Sequence, residues 1–453
     1  MRTPAPDGRP VGLTIAGSDS GGGAGIQADL ATMAAHGVFG TSAITAVTAQ
    51  HTRGVESTHV MPPEEVDAQL GAVTDDFAIG GAKTGMLATA EVIETVTDRA
   101  GDFDFPLVVD PVMVATSGDR LLERAAERAY EDLLAQATLA TPNADEAAVL
   151  TDVDITDEES AREAGKAILE TGVDAVLVKG GHVPGEHVRD VLVTADTVRT
   201  FEHPRVETDA THGSGCALAA AIAARLAKDE PLETAVAGAT DFLARAVRYH
   251  YDVGRGHGAV NHMVPLRNEA TRETSAEEVQ AAVDRFVDAD VSALVPEVGM
   301  NVVGATPYAE SVAETAAVEG RITRTLSGVQ PNRGVRFGAS SHVARFLLSG
   351  REFFPALRFA VNCRFDADVE RALETIDWPI AEFDRAAEPD KVKETEGSTM
   401  GWGARQAFAD RDEPPVAVVD RGEIGKEAIV KLVAEDATTL ADRTLALDEE
   451  VAK

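Results

Sequence analysis

The stretch VGLTIAGSDSGGGAGIQADL, Val11 to Leu30, decides how the rest of the chain is read. Its first seven residues form an apolar run of strand character, and from Ala24 onward the pattern turns helical. Between them, five of the nine residues from Gly17 to Gly25 are glycine. Open parallel sheets bind ligands where a strand runs into a helix, and helix amino ends favour anions. The turn is not a dinucleotide fingerprint in register, and the chain contains no G-x-x-x-x-G-K-[ST] loop. Tight strand–helix packing is the competing reason for the glycines. Within the helix, Ile26, Leu30 and Met33 keep helical spacing, and Asp29 falls on the side of Ile26 and Met33. An inward carboxylate is costly unless paired; an outward one is an ordinary surface acid.

Outward from this unit the alternation continues to about Val253. TSAITAVTA (41–49), PLVVD (106–110), ATLATPN (137–143) and AVLVKGG (175–181) read as strands. AGIQADLATMAAHG (24–37), DRLLERAAERAYEDLLAQ (119–136), EESAREAGKAILETG (158–172) and GSGCALAAAIAARLAKD (213–229) read as helices. This implies an α/β fold with a mainly parallel sheet and helices on both faces. EHVRDVLVTADTVRTFEHPRV (186–206) reads instead as paired antiparallel strands near one edge. The aperiodic stretch 254–274 is followed by SAEE (275–278), an S-x-x-E capping box that should open the helix EEVQAAVDRFVDA. The expected division is therefore a first domain over 1–268, a linker over 269–279 and a second, smaller mixed α/β domain over 280–453. In the latter, GMNVVGA, RFAVNCRF and PVAVVD read as strands, SSHVARFLLSG and DADVERALETI as helices.

The composition excludes several classes of function. The 453 residues are 44% apolar and carry a formal charge of −35. Such self-repulsion is awkward where the Debye length is about 10 Å and far less so near 1 M salt, where it is about 3 Å. An adaptation to a salt-loaded cytoplasm, of the kind halophilic archaea keep, is expected; a merely acidic protein is the plainer reading. Either argues against nucleic-acid or anionic-membrane partners. No run approaches a membrane span, and MRTPAPDGRP has no apolar signal core, so a cytoplasmic location is expected. Two distant cysteines, Cys216 and Cys363, make no disulfide framework.

The sharpest local chemistry lies in THGSGCALAAAIAARL. Gly213, Ser214 and Gly215 open a long Ala-rich helix, whose free amides suit a phosphate or a transferring phosphoryl group. Cys216 falls in the first turn, where a thiol pKa should be lowered. Its alternative is a small buried hydrophobe.

TIAGSDSGGGAGIQADL, ITAVTAQHTRGV, KTGML, VVDPVM, TPNADEA, VKGGH and THGSGC, in this order over roughly 10–265, resemble the hydroxymethylpyrimidine/phosphomethylpyrimidine kinases, ribokinase-like enzymes of thiamine biosynthesis. The resemblance implies ATP-dependent phosphorylation of hydroxymethylpyrimidine and then of its monophosphate, with Mg²⁺, and commonly a homodimer. It points to Gln50 and Met86 as pyrimidine contacts, with Asp29 offered to the ring's N–H donors. Asn143 and Glu146 resemble the Asn-x-x-Glu motif that organises Mg²⁺ and phosphates, often through water; Asp110 could join that shell. Lys179 resembles the lysine that meets ATP phosphates. Cys216 stands where many relatives carry an aspartate base, so Cys216→Ala should slow the first phosphorylation by about 10²–10⁴-fold. Lys83, in KTGML, is either a charge contact or a surface lysine.

In the second half, PNRGVRFGASSHVARF gathers Arg333, Arg336 and Arg345 before and within a helix start at Ser340 and Ser341, with His342 in its first turn. Cations around a helix amino end call for an anion, unless the arginines simply pair with surface acids. This stretch, with NVVGATPYAESVAETAAVEGRI, ETEGSTMGWG and VDRGEIGKEAIV, resembles the archaeal-type thiamine-phosphate synthase domain over about 280–453. The implied reaction joins hydroxymethylpyrimidine diphosphate to hydroxyethylthiazole phosphate and releases diphosphate. Arg321 and His342 are the implied anion and acid contacts, with Arg333 and Arg336 in support. Glu396 to Thr399 either hold substrate or make a turn, and Trp402 either stacks on a ring or sits in the core. Cys363 alternates within a strand and reads as buried packing. Two rivals remain: a thiamine-phosphate-sensing second domain, and a pyridoxal-type kinase.

Overall fold

The computed structural model describes residues 3–113, 129–389, 392, 398–423 and 425–453. The chain divides into two compact units, Met1–Leu266 and Arg267–Lys453.

In the first unit a nine-stranded sheet runs in the order β3-β2-β1-β4-β5-β6-β7-β8-β9. Its strands are β1 (Val11–Ser18), β2 (Phe39–His51), β3 (Gly54–Val60), β4 (Ile79–Thr84), β5 (Leu107–Val109), β6 (Leu139–Ala140), β7 (Ala175–Val178), β8 (His187–Thr194) and β9 (Val198–Pro204). The six strands from β2 to β7 in the sheet order are parallel. Antiparallel β3 closes one edge and the β8–β9 hairpin the other, as the 186–206 pattern requires. Successive strand residues alternate between two cores. Val109, Val176 and Val178 face one, packed by α2 (Pro63–Thr74), α3 (Ala90–Ala100), α4 (Ala129–Leu134), α5 (Ala144–Thr151) and α6 (Glu158–Leu169). Val108, Leu139 and Leu177 face the other, under α7 (Ser214–Leu226) and α8 (Leu232–Arg248). Most of the helix expected over 119–136 lies outside the described residues.

The alanines of α7 have a packing reason. A Cβ on Gly80 or Gly81 of β4 would fall 2.9 Å and 2.7 Å from the carbonyl oxygens of Ala227 and Ala223. Helix and strand therefore meet backbone to backbone, and larger side chains at this contact would push them apart.

The second unit holds a seven-stranded sheet in the order β14-β11-β10-β15-β18-β17-β16, with a separate β12–β13 pair. The strands are β10 (Val302–Ala305), β11 (Thr315–Val318), β12 (Ile322–Thr325), β13 (Gly328–Pro331), β14 (Val335–Phe337), β15 (Phe359–Arg364), β16 (Ile380–Phe383), β17 (Ala417–Asp420) and β18 (Ile429–Ala434). All pairs are antiparallel except β16–β17. After α8 come α9 (Val264–Ala270) and α10 (Arg272–Ala289). One face of the sheet carries α10, α12 (Ala367–Ile376) and α14 (Ala437–Val451). The other carries α11 (His342–Arg351) and α13 (Ser398–Phe408).

Residues 269–279, expected as a linker, lie in α9 and α10 apart from Thr271 between them, and the second unit begins at Arg267. The expected capping box is not formed. Helix α10 begins at Arg272, so Ser275 is interior, buried, and its hydroxyl accepts from Arg358 at 3.3 Å.

Candidate active site

The ends of the parallel strands meet a pocket of about 790 Å³, lined by residues following β1, β4, β5, β6 and β7 and by the start of α7. This is the crevice that strand–helix alternation predicts, and its volume suits a drug-sized ligand or larger.

The glycine-rich loop is organised by Asp19, a residue that composition and spacing gave no reason to single out. Its buried carboxylate accepts the amides of Gly21, Gly23 and Ala24 at 2.8, 3.1 and 2.8 Å, and His212 Nε2 lies 3.0 Å from it. Burial pushes the Asp19 pKa up, but the bonds from His212, Gly21 and Ala24 outweigh it and hold it below the usual carboxylate range. Gly213 has φ +81°, and a Cβ there would fall 1.8 Å from the Gly23 carbonyl oxygen. The first and third glycine elements therefore lean on each other. At Gly23 and Gly213, bare backbone serves loop-to-loop contact.

At the amino end of α7 the Ser214 amide is taken by the Thr211 carbonyl at 3.0 Å. Those of Gly215 and Cys216 meet no acceptor among the described residues, and they carry the positive end of a thirteen-residue helix. Gly215 approaches the acid–lysine cluster closely: its Cβ would be 3.3 Å from Lys179 Nζ and 3.4 Å from Asp110 Oδ2.

Lys179 follows β7 and pairs with Asp110 at 2.7 Å and with Glu146 at 3.7 Å. Burial disfavours its charge, yet Asp110 and Glu146 more than compensate and hold its pKa above the usual lysine value. Thr141 donates to Asp110 at 3.0 Å. Asn143 and Glu146 cap α5 reciprocally: the Asn143 amide donates to Glu146 Oε2, and the Glu146 amide to Asn143 Oδ1, each at 2.8 Å. Burial raises the Glu146 pKa to about 7, with Lys179 opposing and Asp110 reinforcing. Two adjacent carboxylates held by a lysine form an oxygen-rich seat for a cation. Among the described residues no group of three or more His, Cys, Asp or Glu is placed to hold a metal. A Mg²⁺ fits such a half-site, since it commonly takes one or two carboxylates and completes its shell with water and substrate phosphate.

Gln50 and Met86 both line the pocket. Thr48 Oγ1 donates to the Gln50 amide oxygen at 3.2 Å, and the Met86 carbonyl accepts from Thr45 Oγ1 at 2.6 Å. A Cβ on Gly17 would meet Met86 Cε at 2.3 Å, so that glycine makes room for the methionine.

Two expectations are corrected. Asp29 does not line the pocket; it is fully buried, accepts from Thr14 Oγ1 at 2.6 Å and pairs with the equally buried Lys83 at 3.0 Å. Parallel register sets Thr14 of β1 beside Lys83 of β4, beneath α1 (Gly25–Ala35), which supplies Asp29. Lys83 is therefore neither a pocket contact nor a surface lysine. The Cys216 thiol is pushed up to about 11 instead of down. Burial dominates there; Lys83 opposes it, while Asp29 and Asp110 add to the rise. The side chain still reaches the pocket.

Sequence reasoning also missed Asp190 and Arg205, which line the pocket. Buried Asp190 accepts the Gly180 amide at 2.8 Å, and Arg205 holds the carbonyls of Gly181 and Gly185, each at 2.8 Å. No local motif marks either.

In the second unit, Arg333 and Arg336 are exposed and share Glu319, at 3.8 and 3.3 Å. That is the surface-acid pairing weighed against an anion site. Arg321 stands in left-handed backbone, φ +74°, directly after Gly320 at φ +80°, and its guanidinium donates to the Val298 carbonyl. His342 is the exposed first residue of α11. Arg345 is exposed on the same helix, whereas Ser340 is buried before it. Trp402 is half-buried and packs against the core edge-on to Phe383, with ring centres 6.1 Å apart. Cys363 is fully buried, as expected. Of the EGST stretch, Glu396 and Gly397 lie outside the described residues, and Ser398 and Thr399 lie in α13 rather than in a turn.

The first unit is a ribokinase-like α/β domain with an anion-attracting helix end, a lysine and two carboxylates in one pocket, the equipment of a small-molecule kinase. The chain belongs to the phosphomethylpyrimidine kinase family, whose profile matches residues 19–261, and the thiamine-phosphate synthase ThiN profile matches residues 278–446. It is 49% identical over 55% of its length to the hydroxymethylpyrimidine/phosphomethylpyrimidine kinase of Haemophilus influenzae, covering 95% of that protein. It is 45% identical over 57% of its length to the thiamine biosynthesis bifunctional protein ThiED of Geobacter sulfurreducens, covering 54% of it. Among solved structures it resembles the Bacillus subtilis pyridoxal kinase in its ADP complex, with TM-score 0.53 and 32% identity over 56% of this chain and 98% of that one. No helix among the described residues is long and apolar enough to cross a membrane.

Proposed function

We propose that the first unit uses ATP to phosphorylate hydroxymethylpyrimidine and then its monophosphate, and that the second unit joins the diphosphate to hydroxyethylthiazole phosphate. The observation that supports the kinase reading most directly is the convergence of Lys179, Asp110, Glu146 and the α7 amino end on one pocket shared with Gln50 and Met86. Phosphoryl transfer asks chiefly for positioning and for fixed positive charge where oxygens gain electron density. The free amides of Gly215 and Cys216 and the Lys179 ammonium supply that charge without rearranging. Gln50 offers an amide able to serve a ring nitrogen and an exocyclic amine together.

Asp110 and Glu146 would hold Mg²⁺, which neutralises charge on the nucleotide phosphates when bound. Burial pushes the Cys216 thiol up to about 11, which favours a hydrogen bond from the thiol to the acceptor hydroxyl over action as an ionised base. A phosphate acceptor is already ionised and needs no such help.

In the second unit, departure of diphosphate builds negative charge that Arg321 and His342 would stabilise, with release of the leaving group aided by a proton from His342. The test is one reaction containing ATP, Mg²⁺, hydroxymethylpyrimidine and thiazole phosphate in high salt, with every intermediate quantified. Thiamine phosphate is the expected product. Diphosphate intermediate accumulating without it would refute the synthase assignment and favour a sensor, and turnover of pyridoxal in preference to the pyrimidine monophosphate would refute the kinase specificity.

A further inference from the structure

The second unit contains a charged residue that the functional reading does not use. Lys431 lies in the middle of β18, only 3% exposed, on the sheet face covered by α11 and α13. Among the described residues no hydrogen bond or ion pair reaches its ammonium. Its near neighbours are two rings, Phe346 of α11 with its centre 5.1 Å away and Phe383 of β16 at 6.0 Å. Ring faces offset only part of the cost of taking an ammonium out of water.

The surroundings are built rather than accidental. In register, Lys431 lies between Val418 of β17 and Asn362 of β15, so the three side chains share a face. Asn362 accepts the Asn301 amide at 2.8 Å and donates to the Gly299 carbonyl at 3.1 Å. Gly299 in turn lies against Arg321: a Cβ there would be 3.1 Å from Arg321 Cδ. A polar row thus crosses an otherwise apolar face from Lys431 toward Arg321, and helix α11, opened by His342, lays Phe346 beside Lys431. One nearby carboxylate, Asp420, is engaged by Arg385 through two bonds of 2.7 Å. Glu388, 4% exposed, has both carboxylate oxygens unpartnered among the described residues and lies in the electrostatic neighbourhood of Arg385. Burial pushes the Lys431 pKa down to about 8, with Asp420 opposing and Arg385 reinforcing.

We propose that Lys431 is a ligand-binding residue of the second unit, the cation that meets a phosphate oxygen of the phosphorylated heterocycles handled there. It rests on the synthase reading, and nothing in that reading assigns it. The phosphate can come from the pyrimidine diphosphate or from the thiazole monophosphate, and the two are separable by experiment.

The full chain, supplied with pyrimidine diphosphate and thiazole phosphate and no ATP, is compared with Lys431→Met and Lys431→Arg. Lys431→Met should raise KM for one of the two substrates at least tenfold, identifying the source of the phosphate. It should raise the inhibition constant of inorganic diphosphate by a similar factor if that substrate is the diphosphate. Lys431→Arg should recover most of the loss, and the kinase rate should not change in either variant. Because methionine removes a buried unpaired charge, the melting temperature should hold or rise. Unchanged KM values for both substrates overturn the proposal, as does a fall in melting temperature with no recovery in Lys431→Arg, which would make Lys431 a core residue. If the wild-type chain makes no thiamine phosphate, calorimetric titration with inorganic diphosphate and with thiazole phosphate separates the questions. Weaker binding of either to Lys431→Met keeps the site while the synthase reading fails; equal binding of both removes the site.

Discussion

Replacing Asp29 with leucine tests whether its carboxylate serves the fold or the substrate. Both members of the Asp29–Lys83 pair are fully buried and 3.0 Å apart. Removing one partner of such a pair leaves an uncompensated charge and costs about 3–5 kcal/mol. Asp29→Leu and Lys83→Met should therefore each destabilise the first unit by that amount. The double substitution removes both charges, which is commonly neutral or stabilising by about 1–4 kcal/mol. It also strips the Thr14 hydroxyl of its acceptor, which costs about 1–3 kcal/mol. The two effects nearly cancel, so the double variant should fall within about 2 kcal/mol of wild type, far above either single one. The assay is urea unfolding of the full chain with loss of kinase activity as the probe of the first unit, in parallel with KM for hydroxymethylpyrimidine. An Asp29→Leu chain with unchanged midpoint and a raised KM would refute the buried-pair argument. So would a double variant as unstable as the singles.

Gly213→Ala should abolish kinase activity while leaving synthase activity intact, because the added methyl would sit 1.8 Å from the Gly23 carbonyl oxygen in left-handed backbone; the two rates, measured separately on the same preparation, check it. Cys216→Ala should slow the first phosphorylation more than the second, since only the hydroxyl acceptor has a proton to lose; equal slowing would contradict the role given to the thiol. Alkylation of Cys216 by iodoacetamide should keep accelerating with pH up to about 11, where the thiol ionises, and a plateau near pH 8 would show the burial argument wrong. Asp19, held below the usual carboxylate range, stabilises the first unit at every pH above its unfolded value. That contribution is lost as pH falls through its lower folded value, so acid unfolding of Asp19→Asn should show a shallower pH dependence below about pH 4.

The periodicity of the sequence carried most of the fold. Short apolar runs marked five of the six parallel strands, whereas β4, with two glycines and a lysine in IGGAKT, has no such run; the edge hairpin at 186–206 was visible because its pattern lacks an intervening helix. Signals that depend on one helical turn were less secure. SAEE has the composition of a capping box, yet the helix begins a turn earlier, and the Ser275 hydroxyl meets Arg358, eighty-three residues away, instead of capping. The candidate site divides in the same way. Lys179, Asp110, Asn143 and Glu146 were legible because strand ends and a cap fix them locally. Asp29 was misplaced because its partner Lys83 lies fifty-four residues on, across a strand register that no spacing reveals. Cys216 was given the wrong sign of shift because helix position is a local fact and burial is not. Asp190, Arg205 and Lys431 had no local mark at all.

Arg321 has a further implication for anyone wishing to harden this chain. A side chain in left-handed backbone costs roughly 1–2 kcal/mol that glycine would not, and the residue before it is already glycine in the same conformation. Selection for thermal resistance alone should therefore drift toward a second glycine at that corner. A library screened only by heating would enrich variants that survive better and have discarded the guanidinium, so such a screen needs a parallel readout of thiamine phosphate to keep the tool from losing its edge.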